Sequence, residues 1–281
     1  MQQPQGGQSL TNSVEHNLKS AQFPAIFKTS AEYHTPGTEI TGTAIPHQEV
    51  IVTLDDLLIS DAFIADIDEA MNHYDVRGPY ANELGKSLAL TQDKNIARMV
   101  IQSARASAIF SGGNGGSTLS NDGYATDATT LISGLNTAKQ TLDENDVPVD
   151  TQRVNAVLKV AEWYLVANSD KNINRDYNEG QGGLHHQNLR TISDIYILKS
   201  NATPYGTDES AAGIPTKYQG DWSLTVGAVY TADAVASLRL MNLQTQMGFD
   251  MRRQGTLMIA RMAVGHGTLR PDCAVEIATV T

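Results

Sequence analysis

Arg77-Gly78-Pro79 ends one helical pattern and begins another, and the second constrains this chain more than any other feature. Proline suits the first turn of a helix, where its missing N–H has no partner to lose. After it, Tyr80, Leu84, Leu88, Ile96, Met99, Val100, Ser103 and Ser107 recur on one stripe. The spacing predicts a helix from about Pro79 to Phe110, roughly 48 Å long at the ordinary rise per residue. That is longer than a typical globular helix, and it lacks a sustained heptad for a coiled coil. Such a helix must cross a broad, thin domain as its backbone.

Ahead of it lies a different period. Ala21, Phe23, Ala25, Phe27, Ala31 and Tyr33 share one face of an alternating run, which is strand periodicity. Thr35-Pro36-Gly37 signals a turn. A second run then places Val50, Val52 and Leu54 on one face. Together these predict a two-stranded hairpin with a wide tip near Thr38 to Pro46, each arm about 10 residues and roughly 33 Å long. An isolated two-stranded ribbon is marginal in water, so this one needs a surface to lie on, and a neighbouring copy is the natural candidate. A short helix is expected from Phe63 to Tyr74, with Ile64, Ile67, Met71 and Tyr74 at helical spacing.

The Gly-rich run Ser111 to Gly123 reads as a linker and the best boundary in the chain. Beyond it, helices are expected over Thr129 to Leu142 and Ala161 to Ala167. Strands are expected over Arg153 to Leu158, Thr191 to Lys199 and Trp222 to Tyr230. Ala234 to Leu243 and Leu257 to Val264 favour extended structure. Gly265-His266-Gly267 is expected to turn the chain into a closing strand at Ala274 to Val280. The polar stretches Asn168 to Asn188 and Asn201 to Gly220 read as loops. Helices and strands are mixed along the chain, and the fold class read from them is α+β.

With 31 acidic and 20 basic residues the net charge is −11, against a dedicated nucleic-acid binder, which would carry a basic patch. No run of about 18 apolar residues exists to span a membrane, and MQQPQGGQ at the start predicts a mobile segment and no secretory leader. The single cysteine, Cys273, excludes an internal disulfide, fits a reducing cytoplasm and has no activating base beside it.

The motifs that tempt a catalytic reading are incomplete. Gly85-Lys86-Ser87 has the tail of a phosphate-binding loop, but position 80, which needs glycine, is Tyr80, and the segment lies inside the predicted helix. Gly112 to Gly116 fails a dinucleotide fingerprint because position 118 is Thr118. Asp66, Asp68, Glu69 and His73 form the best metal candidate. Of these, Glu69 and His73 can share a helix face, and a metal needs three or more convergent ligands. A metal-dependent hydrolase at that cluster therefore stays an alternative, as does a soluble binding module using the polar loops. His185-His186 reads as a surface pair, and His266 as a hydrogen-bonding residue in a tight turn.

Two stretches carry a specific resemblance. The first is Lys19-Ser20-Ala21-Gln22-Phe23-Pro24, then Thr35-Pro36-Gly37, then AMNHYDVR (Ala70 to Arg77) with Leu84-Gly85-Lys86-Ser87-Leu88. The second is RQGTLMIARMAVGHGTLRPDCAV (Arg253 to Val275). Both resemble the major capsid proteins of short-tailed, T-seven-like phages of the podovirus or autographivirus type. The resemblance covers about the first 105 and the last 50 residues; between Ser111 and Gly220 it extends only to the order of helices and strands.

The resemblance implies the Hong-Kong-97-type capsid fold. It implies an N-terminal arm (1–20), an extended hairpin loop lying across an adjacent subunit (21–54), a peripheral domain with a spine helix (55–110 and 234–281) and an axial domain (111–233). Family members carry a longer arm ahead of the first motif than Met1 to Leu18. The implied function is a non-enzymatic subunit, without cofactor or metal, that assembles into pentamers and hexamers of an icosahedral shell around double-stranded DNA. Scaffolding protein, portal and decoration protein are the implied further partners, with assembly in the bacterial cytoplasm. Phe23, Phe27 and Tyr33 are expected as apolar contacts to other subunits. Arg252, Arg253, Arg261 and Arg270 are expected in ion pairs within or between subunits, and Asp55, Asp56, Gly112 and Gly113 as hinges.

Overall fold

The computed structural model describes residues 19–280 except 30, 41, 43, 72–76, 170–188, 190 and 212. The described chain divides into two compact units and a two-stranded hairpin sheet whose arms belong partly to each.

The hairpin pairs β1 (Ser20–Ile26) with β2 (His47–Thr53). From Ala21 along β1 the burial alternates as expected, with Ala21, Phe23 and Ala25 half-buried and Gln22, Pro24 and Ile26 exposed. A last hydrogen bond runs from Phe27 N–H to the Pro46 carbonyl at 3.0 Å. Pairing therefore ends sooner than the alternation to Tyr33 predicts, and the tip is correspondingly wider. Thr35 to Thr38 forms the expected turn, closed by Thr38 N–H on the Thr35 carbonyl, with Gly37 at φ +93°.

One unit comprises Ile51–Ala89, Ser237–Gly267 and the described residues up to Phe23. Its sheet has the order β3 (Leu58–Ala65), β10 (Gly255–Thr268), β9 (Val235–Asp250). β3 runs antiparallel to β10, from Met262 opposite Leu58 to Gly255 opposite Ala65. The first half of α2 (Arg77–Arg105) covers one face, setting Leu84 and Leu88 against Ile64, Met258 and Ala260. The short helix α1 is Asp66–Met71, so the helix expected from Phe63 begins three residues late. Leu58, Ala62 and Ile64 instead alternate onto the core face of a strand, because β10 supplies a pairing partner that local periodicity does not reveal.

Gly265-His266-Gly267 is not a turn but part of β10. Its glycines serve close approach: a Cβ at Gly265 would lie 2.3 Å from the Thr53 carbonyl oxygen. His266 is buried, with its Nδ1 2.7 Å from the Ser237 hydroxyl.

The other unit comprises Pro24–Val50, Leu90–Ala236 and Thr268–Thr281. Its six-stranded mixed sheet has the order β4 (Ser117–Ser120), β11 (Ala274–Ala278), β8 (Thr225–Tyr230), β5 (Val154–Leu158), β7 (Ile195–Lys199), β6 (Thr191–Ile192). Helices α3 (Ala128–Glu144) and α4 (Val160–Ala167) pack Leu131, Leu135, Leu142, Trp163 and Val166 onto one face. Val100 and Ile101 of α2 join Tyr205, Trp222 and Ala228 in a second core. Burial on both faces explains why β8 reads as a near-continuous apolar run rather than an alternating one, and why β11 is apolar but for the buried Glu276.

Two expectations change in this unit. The Gly-rich run is not a free linker: its Ser117–Ser120 segment pairs parallel to β11. The strand expected over Thr191 to Lys199 is split by Ser193 and Asp194, both at positive φ, into the hairpin β6–β7. α2 is divided between the units after Ala89, and its second half supplies Val100, Ile101 and Ala104 to the cores of this unit.

Candidate assembly surfaces

The hairpin tip has the chemistry of an interaction element. Every described residue from Lys28 to Glu49 is exposed. Among them Tyr33 is fully exposed, and Ile40 and Ile45 present branched apolar side chains to solvent; the same holds for Ile26 and Ile51 on the arms. The carboxylates of Glu32 and Glu39 make no ion pair with a described residue. Single exposed apolar residues are ordinary; a series of them on a projecting loop marks a binding element.

Phe23, Phe27 and Tyr33 have different surroundings. Phe23 is half-buried on β1. Phe27 is also half-buried and meets Phe110 of its own chain, ring centroids 5.2 Å apart and tilted by 37°. Tyr33 alone of the three is free for a partner.

A second surface lies on the uncovered face of the sheet β3-β10-β9. Cross-strand partners there are Phe63 with Leu257 and Ile59 with Arg261. Near the β9–β10 turn, Met247, Phe249, Met251, Leu257 and Ile259 line an open concavity of about 510 Å³, with Asp250 and Arg252 at its edge. Leu240, Leu243, Met247, Phe249 and Met251 are all substantially exposed.

The four arginines separate by environment. Arg270 donates to Asp272 at 2.6 Å and lies 3.9 Å from Asp233; burial works to lower its pKa, but the hydrogen bond to Asp272 and the surrounding negative charge together outweigh it and raise it. Arg253 approaches Asp250 at 3.8 Å, exposed. Among the described residues Arg261 reaches only Gln244, at 3.4 Å, and the Arg252 side chain pairs with no described carboxylate. Arg252, which lines the apolar concavity, and Arg261 therefore keep charge unmatched by any described carboxylate. The candidate hinges also differ. Asp55 and Asp56 lie in the connection between β2 and β3, outside both strands, while Gly112 and Gly113 form a turn closed by Gly113 N–H on the Phe110 carbonyl.

Nothing at the tempting motifs makes a catalytic centre. Gly85-Lys86-Ser87 is helical, with Lys86 paired to Glu83 at 3.4 Å. Asp66 and Asp68 are exposed on α1, and no group of three or more metal-binding side chains occurs among the described residues; His73, His185 and His186 lie outside them. Cys273 is buried, and burial pushes its thiol up to about 11.

A long helix beneath a three-stranded sheet, a projecting hairpin and a six-stranded mixed sheet between helices define a phage capsid subunit of the Hong-Kong-97 type. The chain belongs to the Gp10A-like major capsid protein family, whose model matches residues 22–278. The major capsid protein of Escherichia phage T7 is 29% identical over 286 residues, covering 91% of this chain and 81% of that one. The capsid structure of the cyanophage P-SCSP1u superposes with a TM-score of 0.82 at 35% identity, covering 94% of this chain and 84% of that one. The mature capsid of bacteriophage PhiM1 shares the fold, with a TM-score of 0.76 at 15% identity over 94% of this chain and 82% of that one. The chain is thus a structural protein of the virion that associates with its own copies, and the hydrolase and binding-module alternatives find no support.

Proposed function

We propose that the hairpin tip is the principal assembly element, docking Tyr33, Ile40 and Ile45 on an adjacent copy within pentamers and hexamers of an icosahedral shell. The observation that carries this reading is the exposure of every described residue of the tip, apolar side chains included, in a chain from a capsid family. A contact between unlike surfaces closes into a ring when its rotation permits. The uncovered face with the Met247–Phe249 concavity offers apolar area of the right kind, and Arg252 offers charge opposite to Glu32 and Glu39. The peripheral and axial roles follow for the parts around α2 and around the six-stranded sheet, with Asp55–Asp56 as the hinge at the hairpin base.

The net charge of −11 suits a wall that encloses double-stranded DNA without gripping it. Scaffolding, portal and decoration proteins are the further partners of this reading, and the bacterial cytoplasm its place of assembly.

The test is negative-stain microscopy and sedimentation of purified protein beside a Tyr33→Ser, Ile40→Ser double variant. The parent should form rings or hollow shells. The variant should stay dispersed with an unchanged melting temperature, because neither side chain has a partner in its own subunit. A variant that assembles like the parent overturns the role of the tip.

A further inference from the structure

We infer that Lys28 and Asp146 form a latch that sets the direction in which the hairpin tip leaves the subunit, so that Asp146 is a positioning residue for assembly. This rests on the tip being the element that meets a neighbour.

Asp146 is locally a poor choice for its position. It follows α3, where Val147 N–H returns to the Leu142 carbonyl at 3.1 Å and Asp146 N–H to the Asp143 carbonyl at 2.9 Å. That double closure is the Schellman motif, whose left-handed residue is ordinarily glycine. Here it is Asp146, at φ +59°. A carboxylate also sits badly at the negative end of a helix dipole, and Asp143 and Glu144 precede it with further negative charge. Backbone, dipole and neighbours all disfavour this side chain.

What favours it comes from the hairpin. The Lys28 ammonium donates to the Asp146 carboxylate in an exposed ion pair, which holds that carboxyl below the usual range. Immediately before it, Phe27 packs on Phe110 and on Gly113, where an added Cβ would stand 3.3 Å from the Phe27 ring. From Thr29 to Ile45 every described residue is exposed, and none of their side chains is hydrogen-bonded or ion-paired to a described residue outside the tip. Phe27 and Lys28 are therefore the last holds on the outgoing arm: an aromatic fulcrum and an ionic latch in adjacent positions. Local rules are broken in favour of a contact that orients a binding element.

An exposed ion pair contributes little to stability and is easily remade. That is a fault in a structural brace, but it suits an arm that must leave at slightly different angles around fivefold and sixfold positions.

The experiment follows shell formation by light scattering and negative-stain microscopy at one fixed salt concentration, with melting temperature recorded for each protein. Asp146→Gly should melt higher than the parent yet form shells about threefold more slowly or worse. Lys28→Gln should melt as the parent and assemble as slowly as Asp146→Gly. The charge swap, Lys28→Asp with Asp146→Lys, should restore the rate, which mere loss of stability could not do. Parental assembly rates in both single variants, or a swap that fails to recover, overturn the latch. If the Tyr33→Ser, Ile40→Ser variant blocks assembly while Asp146→Gly does not, the latch alone fails. If the tip variant assembles normally, the hairpin reading fails with it.

Discussion

The Arg105 guanidinium grips Glu276 through two hydrogen bonds of 2.6 Å, Nε to one carboxylate oxygen and Nη2 to the other, joining the last residue of α2 to β11. Glu276 is fully buried and also accepts from the hydroxyls of Thr225 at 2.6 Å and Thr118 at 3.4 Å. Arg105 donates further to the Asp221 carbonyl at 2.8 Å and lies 5.1 Å from the Trp222 ring centroid. The fork geometry fits a planar guanidinium and not an ammonium.

Removing Arg105 strands a buried carboxylate. Losing one partner of a fully buried pair costs about 3–5 kcal/mol. Because the Arg105 side chain is 39% exposed, Arg105→Ala should cost less, about 2–3 kcal/mol in urea denaturation. Arg105→Lys should recover part of that loss. Glu276→Gln should cost less than Arg105→Ala, since the arginine it leaves can turn to water. The reverse order would show that the carboxylate, not the arginine, is readily resolvated.

Two glycines from motifs that look alike in sequence should respond in opposite ways. Gly116 belongs to the Gly-rich run, yet a Cβ there would lie 2.3 Å from the Ser103 carbonyl oxygen and 2.4 Å from that of Ala104. Backbone cannot move aside cheaply, so Gly116→Ala should destabilise by about 1–3 kcal/mol. Gly85, in the phosphate-loop-like triplet, has open space around its missing Cβ and lies inside α2. Gly85→Ala should stabilise by about 0.5–1 kcal/mol. Melting temperatures that moved in the same direction would contradict one of the two environments.

Cys273 makes stability depend on alkaline pH. Burial raises its thiol to about 11 in the folded chain, above the ordinary value of 9.0. Between those values the unfolded chain loses the proton while the folded chain keeps it, so the unfolded state binds fewer protons and stability falls as pH rises. The loss should reach about 2–3 kcal/mol near pH 11. Buried Tyr205 and half-buried Tyr230, whose hydroxyls are also pushed up by burial, act in the same direction at higher pH. Cys273→Ser should flatten the pH 9–11 part of a urea-denaturation series. A slope identical in parent and variant would remove the thiol as its cause.

Legibility in the sequence followed the range of the interaction that decided each element. α3, α4 and β5 lie where local periodicity predicts them, because Leu131, Leu135 and Leu142 or Val154, Ala156 and Leu158 state their buried face within a few residues. β3 did not, since its partner β10 lies far along the chain and Ile64, near its end, falls at helical spacing with Ile67 and Met71 of the helix α1 that follows. Gly265 and Gly267 imitate a turn, because glycine for close approach and glycine for a bend are the same letter. At the surfaces, alternation put Phe27 and Tyr33 on one face, but only the fold turns Phe27 onto Phe110 and leaves Tyr33 in solvent. Arg252 and Arg270 look equivalent in sequence; carboxylates at Asp233 and Asp272 separate them. No pattern in the sequence announced the Lys28–Asp146 pair, which joins residues distant along the chain.

Assembly rate should rise with moderate salt. Each copy carries a net charge of −11, so approaching subunits repel one another before any apolar contact forms. The range of that repulsion falls to about 10 Å at 0.1 M ionic strength, from about 30 Å at 0.01 M. The tip contact itself relies chiefly on Tyr33, Ile40 and Ile45, which salt does not screen. Raising ionic strength across that range should therefore speed the growth of light scattering, with hollow shells rather than amorphous aggregate in the micrographs. The Tyr33→Ser, Ile40→Ser variant should show little rise over the same range, because screening removes a barrier without supplying a contact. Scattering that fell steadily with salt in the parent would mean that charge pairs such as Glu32 or Glu39 with Arg252, not apolar burial, govern the encounter.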